Sequence, residues 1–235
     1  MISGLQKMTL LDYPGKVACT VFLQGCNFRC PFCHNADLLG KEGPETIPTE
    51  DLLAFLKKRV GLLDAVCITG GEPTLQPGLE ALLVQIKALG YRIKLDTNGS
   101  RPQVMKDLVE KGLVDYVAMD IKNSPARYGQ TAGVPAMTLD AIEESIRYLL
   151  AGNVDYEFRT TVAQELHTPQ DFTHIGQWLS RLSPDRKAAK FFIQPYVDRD
   201  SVLAAGLHTP TREALSDMAA AIAPYTMGVT IRGLD

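Results

Sequence analysis

The chain has 235 residues, 46% hydrophobic and 22% charged, and its 24 Lys and Arg against 27 Asp and Glu leave a formal net charge of -3. The apolar fraction excludes an intrinsically disordered chain. The slightly acidic balance offers no basic footprint for nucleic acid phosphates or an anionic membrane, and no apolar run approaches the ~20 residues of a membrane span. One α/β domain over residues 1–235 in the cytoplasm is the expectation, since no linker separates two halves and the amino-terminal stretch lacks the charged-then-apolar order of a secretory signal. Five cysteines, three of them within eight residues, do not suit a disulfide framework and point to metal or redox chemistry in a reducing compartment.

In chain order, short β-branched runs alternate with segments of helical period, the pattern of repeated βα units on a parallel sheet. Strands are predicted over 17–23, 65–69, 92–96, 116–120, 156–161 and 190–194, with a seventh over 229–232. The first helix is predicted to start from an N-cap at Thr49, to place Leu52, Leu53, Leu56 and Val60 on one face, and to stop at Gly61. Helices over 79–89 and 102–111, closed by Gly90 and Gly112, precede three more over 139–150, 169–181 and 211–222. Two connections are long, 24–48 and 121–137. Loops of that length are usually functional, and both follow the carboxyl end of a strand, where parallel α/β architectures place their sites.

The first of these loops carries Cys26, Cys30 and Cys33 in the spacing C-x3-C-x2-C, so three thiolates can converge on one centre. A closed zinc site uses four ligands; the triplet either recruits a fourth, with His34 adjacent, or leaves a position open. On a 4Fe-4S cluster, three thiolates leave one iron open to a substrate. Zinc ligands come more often as two separated C-x2-C pairs and no second pair exists here, so iron-sulfur is the favoured reading. The next strands end in Thr69-Gly70-Gly71-Glu72-Pro73, Asp96-Thr97-Asn98-Gly99 and Met119-Asp120-Ile121-Lys122. Paired glycines let a ligand approach the backbone, although a plain turn explains them equally; Asn-Gly is a turn former. Asp120 and Lys122 alternate and face the same way, one suited to a ribose hydroxyl and the other to a carboxylate. Arg159, inside the fifth strand, is costly without a partner: it pairs with a rim carboxylate or binds a ligand.

The string from Gln24 to Asn35, with C-x3-C-x-Phe-C after a strand, resembles the signature of the radical S-adenosylmethionine (SAM) enzymes, in particular their glycyl-radical-activating branch. The stretch 5–16 is similar to activating proteins of anaerobic ribonucleoside-triphosphate reductase. The resemblance implies a partial (β/α)6 TIM-like barrel, a 4Fe-4S cluster on Cys26, Cys30 and Cys33, and SAM bound by Phe32, Gly70, Gly71, Glu72, Asp96, Thr97, Asn98, Asp120 and Lys122. In relatives that activate pyruvate formate-lyase, the positions of Asp96, Thr97, Met119 and Asp120 form a monovalent cation site, and those of Asp12, His34 and Arg159 contact the glycine-bearing loop of the partner. Two departures stand out. Asp12-Tyr13-Pro14-Gly15 replaces Asp-Gly-Pro-Gly, and Val197 follows Pro195-Tyr196 where a relative has an adenine-stacking histidine, leaving that task to Tyr196 or Phe32.

The implied activity is reductive cleavage of SAM to methionine and a 5'-deoxyadenosyl radical, which abstracts hydrogen from a glycine of a glycyl-radical enzyme, with a flavodoxin- or ferredoxin-type electron donor. Segment 123–134 is expected to clamp the partner's loop. Two alternatives are a small-molecule radical SAM enzyme, such as a 7-carboxy-7-deazaguanine synthase, and a metal-bound binding module that would leave the strand-end motifs without a purpose. The remaining candidates read as structural. Cys19 and Cys67 fall in apolar strands; His167, His174 and His208 are exposed or satisfied; Met8, Met105, Met218 and Met227 pack; Trp178 belongs to the core. Lys57-Lys58-Arg59 is a solvated helix face, where an acidic electron donor could dock.

Overall fold

The computed structural model describes residues 2–40, 46–199 and 201–233, so positions 41–45 of the long first loop lie outside the described residues. The residues gather into two compact units, neither a continuous stretch of sequence: one runs to Asn27 and takes Asp37–Thr97 and Arg101–Ala118, and the other takes Phe28–Ala36, Asn98–Ser100 and the chain from Met119 onward.

In the first unit, strands β1 (Ile2–Thr9), β2 (Ala18–Leu23), β3 (Ala65–Gly70) and β4 (Arg92–Thr97) lie in sequence order, followed by the first three residues of β5 (Tyr116–Asp120). β2, β3 and β4 are parallel, with Thr20, Cys67 and Lys94 in one cross-strand row. β1 was not predicted. Ser, Gly, Gln and Lys make up half of it, and Gln6–Met8 are solvent-exposed; what makes it a strand is antiparallel pairing along the edge of β2, which would otherwise present open hydrogen-bonding groups. Met8 on it is 64% exposed rather than packed.

Helix α1 (Thr49–Lys57) has Pro48, not Thr49, at its N-cap. It stops before Val60, because the backbone N–H groups of Arg59 and Leu63 turn back onto Leu56 and Arg59. Val60 is therefore exposed, and Gly61, at φ +81°, serves the following turn rather than the helix end. α2 (Leu79–Lys87) and α3 (Pro102–Glu110) bury Leu79, Leu83, Ile86, Met105 and Leu108. Each such side chain contributes about 1.5–3 kcal/mol.

In the second unit, β5's last two residues, β6 (Asp155–Val162), β7 (Phe191–Pro195) and β8 (Val229–Ile231) follow in order, with β6, β7 and β8 parallel. The helices are α4 (Tyr128–Thr131), α5 (Asp140–Leu150), α6 (Pro169–Leu182) and α7 (Arg212–Ile222). α6 shows why its boundary was readable. Thr168 accepts from the Asp171 N–H, Asp171 accepts from the Thr168 N–H, and Pro169 occupies the first turn, where no donor is needed. Asp171 also takes Ser124 and Arg127 at 2.9 and 2.8 Å, so the cap clamps the loop after β5. Trp178 is buried as expected, edge-on to Tyr128 and donating to Glu143. Met218 is buried, whereas Met227, in the turn before β8, is 77% exposed. Each strand from β2 to β7 is followed by a helix, the six-fold βα alternation the sequence implied. Among the described residues no helix is long and apolar enough to cross a membrane.

Candidate active site

The root of the cysteine loop belongs to the first unit. Gly71 N donates to Leu23 O at 2.9 Å, Glu72 N to Gly25 O at 2.8 Å, and Gly25 N to Leu38 O at 2.6 Å. A Cβ on Gly70, at φ +117°, would overlap the Leu23 backbone, and one on Gly71 would overlap the Gly25 carbonyl. The glycine pair thus admits the chain's own loop root against the end of β3. This is a close approach of the kind the sequence suggested, but by backbone. Buried Gln24 extends the tether, accepting from Ser3 at 2.6 Å and donating to Gly40 O at 3.0 Å.

Glu72 is fully buried. Its Oε1 accepts from Thr74 N at 3.1 Å, from the Thr74 hydroxyl, and from Thr97 Oγ1 at 2.8 Å, joining the ends of β3 and β4. Asp96 is ion-paired with Lys94, two residues earlier on the same strand face. Asp12 takes Thr20 Oγ1 at 2.5 Å. Thr20 sits three residues before the end of β2, so this carboxylate lies about 10 Å short of that end.

The second unit holds Cys30 and Cys33. Arg29 N donates to Ala132 O at 2.9 Å, Cys30 Sγ lies 3.8 Å from the same oxygen, and a Cβ on Gly133 would overlap the Arg29 carbonyl. Segment 123–134 is thereby engaged with this chain's own cysteine loop, anchored by buried Asn123, which donates to Thr131 Oγ1 and Leu166 O at 2.9 and 2.8 Å. Burial raises the Cys33 thiol above its ordinary value, and Lys122 and Arg29 pull against it. Cys19, with no such cations, is pushed up to about 12 by burial, and burial raises Cys67 as well; neither is poised as a thiolate.

Asp120 is the electrostatic centre of this unit. Arg159 Nε and Lys122 Nζ each approach one of its oxygens at 2.9 Å. Burial alone would raise its carboxyl, but the two cations outweigh burial and hold it at about 2. The Lys122 ammonium is held above its ordinary value against burial, by Asp120 first and by Cys30, and it stands 5.9 Å from the Phe32 ring. His167 is buried, hydrogen-bonded to Lys122 O at 2.9 Å, and lowered by burial. Asn98 accepts from Ser100 N, and Met119 packs where a Gly99 side chain would stand, so both residues of the Asn-Gly pair serve the turn.

The loop after β7 closes over Pro31–Asn35. His34 Nε2 donates to Val197 O at 2.8 Å, Ser201 Oγ to His34 O at 2.9 Å, and Ala204 N to Pro31 O at 3.0 Å. Tyr196 is buried, its ring 5.7 Å from that of His34. His174 and His208 bond to Gln170 and Glu165, respectively. Among the described residues no three His, Cys, Asp or Glu side chains form a ready metal cage; the ligand set rests on the spacing of the loop.

The Radical SAM superfamily pattern matches residues 20–179. The chain belongs to the radical SAM superfamily. This radical SAM enzyme is 38% identical over 183 residues to a "putative glycyl-radical enzyme activating enzyme" of Methanocaldococcus jannaschii, covering 75% of this chain and 74% of that one. It is 33% identical over 127 residues to the pyruvate formate-lyase-activating enzyme of Clostridium pasteurianum, covering 52% of each chain. Its fold matches Streptococcus suis SuiB bound to S-adenosylmethionine with a TM-score of 0.68 at 13% identity, covering 91% of this chain and 52% of that one. The chain thus spans about half the length of the last two. As a radical SAM enzyme it uses a 4Fe-4S cluster and SAM. The donor set fits: three thiols on one short loop in the spacing C-x3-C-x2-C, a soft-ligand set suited to iron-sulfur.

Sequence reading missed Lys94 and the Thr97–Glu72 bond. For Lys94 a signal existed, a lysine in step with Asp96 and flanked by Ile93 and Leu95 in the predicted strand over 92–96. The Thr97–Glu72 bond joins residues 25 apart and left none.

Proposed function

We propose that this radical SAM protein is an activase that generates a glycyl radical on a partner enzyme, anaerobic ribonucleoside-triphosphate reductase in the first instance. The observation that carries the reading is the likeness to the M. jannaschii relative over three quarters of both chains, with the Cys26–Asn35 string inside it. When bound, the cluster and SAM supply a 5'-deoxyadenosyl radical, the species able to take hydrogen from a glycine Cα.

The chain's own part is to hold and orient. Cys26, Cys30 and Cys33 ligate the cluster. Gly70, Gly71 and Glu72 set the backbone at the end of β3, where the methionyl amino group is received, and Asp96, Thr97 and Asn98 line the end of β4. Asp120, kept ionised, suits a ribose hydroxyl, and Lys122 suits the methionyl carboxylate. Phe32 supplies an apolar wall. Asp12, His34 and Arg159 meet the partner's loop already oriented by Thr20, Val197 and Asp120. The electron comes from a flavodoxin- or ferredoxin-type donor in the cytoplasm.

The test is anaerobic reconstitution followed by incubation with SAM, reductant and candidate reductases. A glycyl doublet by electron paramagnetic resonance on one of them is the expected result. Formation of 5'-deoxyadenosine with no radical on any candidate, and turnover of a small molecule instead, would move the assignment to the small-molecule class.

A further inference from the structure

Lys94 is a buried charge for which the proposed reaction has no use. It stands on β4 between the fully buried Ile93 and Leu95, is itself 1% exposed, and its neighbours across β3 and β2 are Cys67 and Thr20. A buried ammonium is costly without a partner, and here it meets the carboxylate of Asp96 on the same strand face.

In relatives, by the resemblance drawn above, the positions of Asp96, Thr97, Met119 and Asp120 hold a monovalent cation. The residues of this chain do not fit one. Asp96 already carries an ammonium, Thr97 Oγ1 is turned to Glu72 at 2.8 Å, and Asp120 carries both Arg159 and Lys122. A metal ion brought to Asp96 would meet the Lys94 ammonium at contact range, where like-charge repulsion cancels what the carboxylate offers. We infer that Lys94 is a built-in monovalent cation. Its ammonium neutralises and orients Asp96, and this enzyme therefore needs no monovalent metal ion. Lys94 is a positioning residue, and its link to SAM rests on the placement of Asp96 proposed above.

Two measurements test this. First, melting of the cluster-free chain is compared in choline, sodium and potassium chloride at equal ionic strength. The wild type is expected to melt alike in all three, since an ion that binds the native chain raises its midpoint by mass action; a higher midpoint in sodium or potassium overturns the inference. Lys94→Met, close in volume, removes this ammonium from Asp96. It is expected to melt lower in choline and to recover with sodium or potassium, whereas Lys94→Arg stays indifferent to the salt. A folded Lys94→Met equally indifferent shows a merely structural lysine and also overturns the inference; should that variant not fold, the wild-type comparison still decides.

Second, SAM affinity of the reconstituted enzyme is expected to vary less than about twofold among the salts in the wild type, and to fall about tenfold in choline for Lys94→Met, with recovery in potassium. Absence of SAM binding by the wild type in every salt refutes the SAM reading instead, and leaves the melting comparison to judge Lys94.

Discussion

Arg159 Nε donates to Asp120 Oδ1 over 2.9 Å, tying the middle of β6 to the carboxyl end of β5. The sequence left Arg159 two roles, a rim carboxylate or a ligand, and the structure shows the pairing with a rim carboxylate. Lys122 takes the other oxygen, so this carboxylate enters any reaction charged and fixed in direction.

Arg159→Ala is therefore expected to act through Asp120. Losing one charge-assisted hydrogen bond at a partly buried carboxylate costs about 1.5–3 kcal/mol, with Lys122 limiting the damage. Urea unfolding measures the cost, and SAM affinity should fall in step. Unchanged stability with lost radical transfer would instead place Arg159 wholly on the partner side.

The depressed Asp120 carboxyl has a signed consequence for pH. Its folded value, about 2, lies below the unfolded reference near 3.9, so the unfolded chain binds more protons in between. The stability it supplies is complete above about pH 4 and is lost as pH falls toward 2. Asp120→Asn should be less stable than wild type at pH 7 and should lose less between pH 4 and 2, as read from denaturant midpoints. Parallel pH profiles for the two chains would contradict this.

Gly71→Ala forces a methyl into the Gly25 carbonyl, an overpacking expected to cost about 1–3 kcal/mol. Gly70→Ala adds a left-handed backbone to a similar overlap and is expected to cost more. Gly61→Ala is the control, with a positive φ and open space around it. Thermal melting ranks the three, and both rim variants should retain less iron after reconstitution, because the root of the cysteine loop moves.

Thr97→Val removes a donor from the buried Glu72 carboxylate and is expected to destabilise by about 1.5–3 kcal/mol. Thr74→Val, which touches the same oxygen, should not add to it fully. A double-mutant cycle by urea unfolding checks both statements.

Cys30→Ala is expected to abolish the visible absorption of the reconstituted cluster and 5'-deoxyadenosine formation, while Cys19→Ala keeps both. Cys19 is fully buried inside β2, outside the cysteine loop, and retained SAM cleavage in Cys30→Ala would sink the ligand assignment.

The sequence by itself determined whatever depends on local periodicity and spacing. Six strands followed by helices, the start of α6 at Pro169, the two long loops and the C-x3-C-x2-C triplet all express interactions within a few residues, and such interactions leave a pattern in the chain. β1 escaped because its strand character is borrowed from β2 rather than from its own polar residues. The tertiary structure alone decided which groups share a charge or a contact: Gly70 and Gly71 against the cysteine loop's root, Thr97 on Glu72, Arg159 on Asp120, segment 123–134 on Arg29 and Cys30. Each joins residues far apart in the chain, and a hydrogen bond or ion pair acts over about 3 Å of space whatever the sequence separation. Lys94 and Asp96 stand between these cases. Their spacing of two was legible on the strand, but only the burial of that face turned two ordinary charges into a pair that must be kept together.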